Sequence, residues 1–167
     1  PDTVSAKCFH GDFVDLREQI LTWSGRDAFT FFFIDPKGWK SIGIEKLRPL
    51  LQRPRSEFLI NFIYDFINRT ASMAEWQSDI AEFLGVPIGA VQELEHHSPQ
   101  DREEKLLGHY RSSLKAALPP QRSPFIGRTA YVRVLDPSRE RAKYHLVYRS
   151  SHPKGTIEFM TISHGVE

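Results

Sequence analysis

The chain has 167 residues, 40% of them hydrophobic and 26% charged, which suits one globular domain with its own core and excludes a disordered or collagen-like chain. Its net charge of +1 excludes strong global attraction to nucleic acid. A single cysteine, Cys8, excludes an intrachain disulfide or a cysteine-based metal cluster, and no apolar run approaches the ~20 residues of a membrane helix. A cytoplasmic protein with no membrane contact is expected.

In chain order, residues 4–9 read as a short strand. Gly11-Asp12 then turns into a helix over 13–23, with Phe13, Leu16, Ile20 and Trp23 on a helical stripe. Phe29 to Ile34 is a wholly apolar strand. Without polar alternation it predicts cover on both faces, as in the centre of a layered α/β sheet. It runs into Asp35-Pro36-Lys37-Gly38-Trp39, and a helix follows from about Ser41, shortened or kinked by Pro49. Glu57 to Phe62 is the next strand. The alternation predicts a parallel group of 4–9, 29–34 and 57–62, with 29–34 the most buried.

Helices are expected over 64–69 and 73–84, the second stopping at Gly85. Ser98-Pro99-Gln100-Asp101 opens another helix, continued by Leu106, Leu107, Tyr110, Leu114 and Leu118 until Pro119-Pro120. Residues 73–118 thus form an acidic helical insertion within a single domain spanning 1–167. Two strands, 130–135 and 144–149, are joined closely enough to be antiparallel. The stretch after Ser151-His152-Pro153 fits a final helix or a strand. The fold class expected is therefore α/β with a layered, mostly parallel sheet and an antiparallel pair at its C-terminal end.

Ligands of such sheets bind beyond the carboxyl ends of the strands. That places Asp35, Lys37 and Trp39 as the candidate catalytic group, although Asp-Pro and Lys-Gly are also ordinary turn chemistry. His10 and Asp12 face the same edge as candidate cofactor contacts, with a helix cap as the other role open to Asp12. Asn61, Tyr64 and Asp65 complete a polar row there. From Pro119 to Gly155 there are eight bases and two acids. Arg122, Arg133, Arg141, Lys143 and Arg149, interleaved with Phe125, Tyr131, Tyr144 and Tyr148, suit a nucleic-acid surface as well as a solvated edge that resists aggregation. His96, His97, His109, His145 and His152 lack metal-ligand spacing and read as solvated, so no metal site is assigned. A magnesium nuclease using Asp35 with Asp12 or Asp65 is a third, less supported chemistry. No glycine-rich cofactor or phosphate loop occurs in the sequence.

Three segments, residues 31–39, 58–69 and 144–155, together resemble the three-Cys-motif partner proteins. The resemblance implies a class I, Rossmann-like methyltransferase fold and S-adenosylmethionine as cofactor. It further implies methyl transfer to nucleic acid or a partner-linked substrate, and a partner bearing a cysteine triplet. The strand-Asp-Pro turn is similar to the amino-methylating Asp-Pro-Pro-Tyr type, with Lys37 at the second proline and the aromatic displaced to Trp39. The family's first strand and its glycine-rich loop have no counterpart here. The chain is thus expected to be a C-terminal portion of a longer protein or a degenerate member without its own cofactor site, and in either case not to bind S-adenosylmethionine tightly alone. The alternative is a non-catalytic module that binds nucleic acid or docks a protein.

Overall fold

The computed structural model describes residues 4–117 and 127–165. Leu118, Pro119, Pro120, Arg122 and Phe125 lie outside the described residues. The elements, in order, are α1 (Phe13–Trp23), β1 (Thr30–Ile34), α2 (Ile44–Leu51), β2 (Ser56–Phe62), α3 (Tyr64–Thr70), α4 (Ala74–Leu84), α5 (Ile88–Gln92), α6 (Pro99–Ala116), β3 (Arg128–Asp136), β4 (Arg139–Ser150) and α7 (Pro153–His164). Short 3₁₀ turns cover Trp39–Ile42 and Glu93–His96. The protein is an α/β chain built on a four-stranded mixed sheet ordered β1-β2-β4-β3. Among the described residues only β1 and β2 are parallel, while β4 runs antiparallel to both β2 and β3.

Local chemistry accounts for three of the helix ends. The Asp12 carboxylate accepts the Val14 N–H at 2.7 Å and starts α1. Ser98 does the same for Asp101 ahead of α6, with Pro99 in the first turn. Gly85 ends α4 at φ 66°, a left-handed position that favours glycine. The stretch after Ser150, which the sequence left between helix and strand, is helix α7.

One face of the sheet carries the core. In β2, Ser56, Phe58, Ile60 and Phe62 are buried in strict alternation, and Val147 of β4 joins them beneath α2, α4 and α6. Phe62 sits in an aromatic cluster, with ring centroids 5.0 Å from Tyr110 and 5.8 Å from Phe83. The Tyr110 hydroxyl donates to the Ile42 carbonyl at 2.9 Å. Among the described residues the opposite face is covered by α7 alone, which packs on β3 and β4 and stacks Phe159 on Tyr148, centroids 4.7 Å apart.

Two expectations are corrected here. Residues 4–9 form no strand, because they meet no ladder partner and are exposed apart from half-buried Phe9. The strand at 30–34 is an edge strand, not the buried centre. Phe32 is buried against Phe58, but Phe31 and Phe33 are 50% and 60% exposed. The strand with neighbours on both sides is instead β2, flanked by β1 and β4, and it is fully buried on its core face only. The sheet is accordingly more antiparallel than expected.

The start of α7 is packed without room for a side chain. The Ser150 hydroxyl donates to the Glu57 carboxylate at 2.9 Å. A Cβ on Gly155 would stand 2.5 Å from the Tyr148 hydroxyl and closer still to Glu57. Gly155→Ala is therefore expected to cost about 1–3 kcal/mol through overpacking, read as a lowered urea midpoint. An unchanged midpoint would mean that α7 is not seated on β4 in this way.

Candidate functional site at the carboxyl edge of the sheet

Because β1 and β2 are parallel, their carboxyl ends open on one edge, and the antiparallel β4 brings its early residues to the same place, Phe62 facing His145. The strand β1 delivers Asp35 and β2 delivers Asn61. Asn61 Nδ2 donates to Asp35 Oδ1 at 2.8 Å, and Asn61 Oδ1 is buried with no hydrogen-bond partner among the described residues. The amide fixes one carboxylate oxygen of Asp35, and the exposed carboxylate keeps acceptor capacity for an incoming N–H. Nearby in sequence, Asp65 in the first turn of α3 pairs with Arg69 at 3.3 Å and with Arg141 at 3.5 Å.

A second polar cluster lies behind this edge. His145, 1% exposed, places Nε2 3.0 Å from Glu103 Oε1, and the same oxygen meets Arg133 Nε at 3.4 Å. Burial pushes the His145 pKa down, outweighing the upward pull of Glu103, while Arg133 pushes it further down. The ring is therefore neutral at pH 7, and its Nε2–H donates to the carboxylate. Its Nδ1 is buried without a partner among the described residues. Burial and the Glu103 charge together raise the Tyr64 pKa, so its hydroxyl stays protonated. Asn68 Nδ2 donates to that hydroxyl, and Arg102 Nε donates to Asn68 Oδ1 at 2.8 Å.

The other expected site residues separate. Trp39 is buried, its ring centroid 5.3 Å from Phe83 and 6.0 Å from Phe66, inside the helical layer rather than on the open edge. Lys37 is exposed. Asp12 caps α1, and with Gly38, Trp39, Lys40, Lys46 and Trp76 it lines an open pocket of about 450 Å³. Asp12 and Trp39 thus meet at one pocket, and Asp35 is not among its walls. His10 is exposed. Lys40 spans the rim of this pocket, its Nζ 2.6 Å from Asp79 and 5.3 Å from the Trp76 ring centroid.

Among the basic residues, Arg133, Arg141 and Lys143 lie toward the carboxyl edge. Arg133 and Arg141 are about half exposed and neutralised by Glu103 and Asp65, whereas Lys143 is exposed. Arg149 is different. It is buried on the core face of β4, its guanidinium 5.3 Å from the Phe58 ring centroid, too deep to meet a phosphate backbone in this conformation.

His145 also corrects the view of the histidines as solvated. A legible signal existed in the β4 alternation: His145, Val147 and Arg149 share one phase, and Val147 marks that phase as inward. Glu103 likewise stands three, four and seven residues before Leu106, Leu107 and Tyr110, on the buried stripe of α6. Among the described residues no three His, Cys, Asp or Glu side chains are grouped as metal ligands, and no helix is long and apolar enough to cross a membrane. No protein-family model, curated protein or solved structure matches the chain.

Proposed function

We propose that this chain carries the acceptor side of a methyltransferase-like site, as the C-terminal portion of a three-Cys-motif partner protein with a Rossmann-like methyltransferase fold. The observation that carries this reading is the Asp35 carboxylate at the end of a strand, oriented by Asn61 from the parallel strand beside it. An amino group of a nucleobase or a partner-linked substrate would donate a hydrogen bond to Asp35, which directs the nitrogen lone pair away from the carboxylate. A charge-assisted bond of this kind contributes about 1.5–3 kcal/mol. S-Adenosylmethionine, when bound, supplies the electrophilic methyl group.

The residues present fit only part of such a cofactor. The pocket at Asp12 and Trp39–Lys40 is of ligand size, and the Asp12 carboxylate is a suitable acceptor for ribose or adenine N–H and O–H groups. The backbone cradle that a glycine-rich loop provides has no source in residues 1–167. The chain therefore holds the acceptor and needs further polypeptide for the cofactor.

Recognition of an amino group can be tested without methyl transfer, by titrating the chain with matched single-stranded oligonucleotides that keep or lack the exocyclic amine of adenine. Wild type should prefer the amine-bearing strand by roughly tenfold or more. Asp35→Ala should abolish the preference, and Lys143→Ala should weaken both strands while keeping it. Equal preference in wild type and Asp35→Ala would remove Asp35 from the acceptor site.

A further inference from the structure

The edge and open face of β1 are unlike those of a finished sheet. Edge strands are ordinarily blunted by charge, proline or a bulge, and Thr30–Ile34 has none of these. Phe31 and Phe33 stand exposed on the face opposite the core, with Phe29 at 62% beside them. Among the described residues, helix α7 packs chiefly on β3 and β4 and touches β2 where Gly155 meets Glu57. The width beyond it, β1 and most of β2 at about 4.8 Å per strand, matches the 8–10 Å spacing of one packed helix.

The chain path says on which side the missing elements belong. Helix α1 lies beside α2 on the core face, where Arg17 Nη1 donates to the Lys46 carbonyl at 2.7 Å. It starts at the carboxyl edge, with Asp12 near Gly38, and ends at the amino edge, where Arg53 holds the Ser24 and Gly25 carbonyls. It therefore has the path of a return helix leading into β1. Crossovers on one face with the usual right hand carry the chain across a sheet in one direction. With β2 on one side of β1, a strand preceding α1 belongs on the other, which is the open edge. Residues 4–10, which lead into α1, are exposed apart from half-buried Phe9, whose ring centroid lies 6.2 Å from that of Trp23, and have no ladder partner.

We infer that the β1 edge receives a parallel strand, apolar on both faces, and that the helix joined to this strand fills the stripe beside α7, against Phe31, Phe33, Leu59, Phe159 and Ile162. The occupant is polypeptide preceding Val4 in the intact gene product. A second copy fits less well: two-fold pairing through β1 would be antiparallel and would bring the α1–α2 layers of both copies onto the same ground. This inference rests on sheet geometry and stands independently of the methyl-transfer reading.

The test compares the 167-residue chain with the gene product carrying its natural upstream sequence. Phe31→Glu should shift the Tm of the short chain by no more than about 2 °C, and that of the gene product by about 5–10 °C. Should that variant of the gene product not fold, hydrogen exchange of the wild types decides. Peptides covering 29–34 should exchange at least tenfold more slowly in the gene product. Equal shifts, or equal exchange, would overturn the inference. So would a natural start at Pro1, or a short-chain dimer on sedimentation that Phe31→Glu dissociates, the last pointing to a second copy.

Discussion

Phe62→Ala is expected to lower the unfolding free energy by about 3–5 kcal/mol, the range for emptying a fully buried phenylalanine site. Phe62 is 0% exposed, and its ring is shared by Phe83 and Tyr110 from the helical layer and by His145 from β4. Little collapse is open to such a site, since rigid rings on several elements line it. A single domain has only about 5–15 kcal/mol in total, so the variant should be largely unfolded in modest urea. A loss below about 1 kcal/mol would mean that the aromatic cluster is not packed as described. Phe33→Ala, on the open face of the edge strand, should by comparison cost little in this chain.

The second large effect is acid sensitivity. The folded-state pKa of His145 is lowered chiefly by burial, and that of His109 is lowered by burial and by Lys105. Unfolded, both take up a proton near pH 6.5. Below that pH the unfolded state binds more protons than the folded one, so stability falls as pH falls, by up to about 1.4 kcal/mol per pH unit for the buried His145 ring and by less for the half-buried His109. The contribution is complete above pH 6.5 and is lost as the pH drops through the folded-state values. Urea midpoints between pH 7.5 and 5.5 should show this slope. His145→Gln, which keeps a donor for Glu103 without titrating, should flatten it by up to one proton. Identical slopes for wild type and variant would show that His145 is not held neutral by its burial.

The α/β alternation, the helical stretch from Met73 onward and the C-terminal hairpin were legible because each rests on local periodicity or turn chemistry. The placing of β1 was not. An apolar run such as Phe29 to Ile34 reports that both faces are built for burial, and it carries no information on whether the covering elements lie within the described residues. Asp35 and Asn61 could be read from the strands that end beside them. The Glu103–His145 pair could not be found by spacing, as its partners are 42 residues apart and meet only because α6 crosses β4. Trp39 and Arg149 mislead for one shared reason. An aromatic or a cation in a candidate loop or strand suggests contact with a ligand, while here the ring packs against Phe83 and the guanidinium against Phe58.

Methyl transfer itself is the most direct measurement. If the proposed function holds, the intact gene product, assayed with a three-Cys-motif protein, labelled S-adenosylmethionine and amine-bearing oligonucleotide, should incorporate label. Loss of an oriented acceptor contact typically costs about a hundredfold or more, so Asp35→Ala should fall by that factor at unchanged Tm, and Asn61→Ala by less. Label incorporated equally by wild type and Asp35→Ala would contradict the assignment of the acceptor site to the carboxyl ends of β1 and β2.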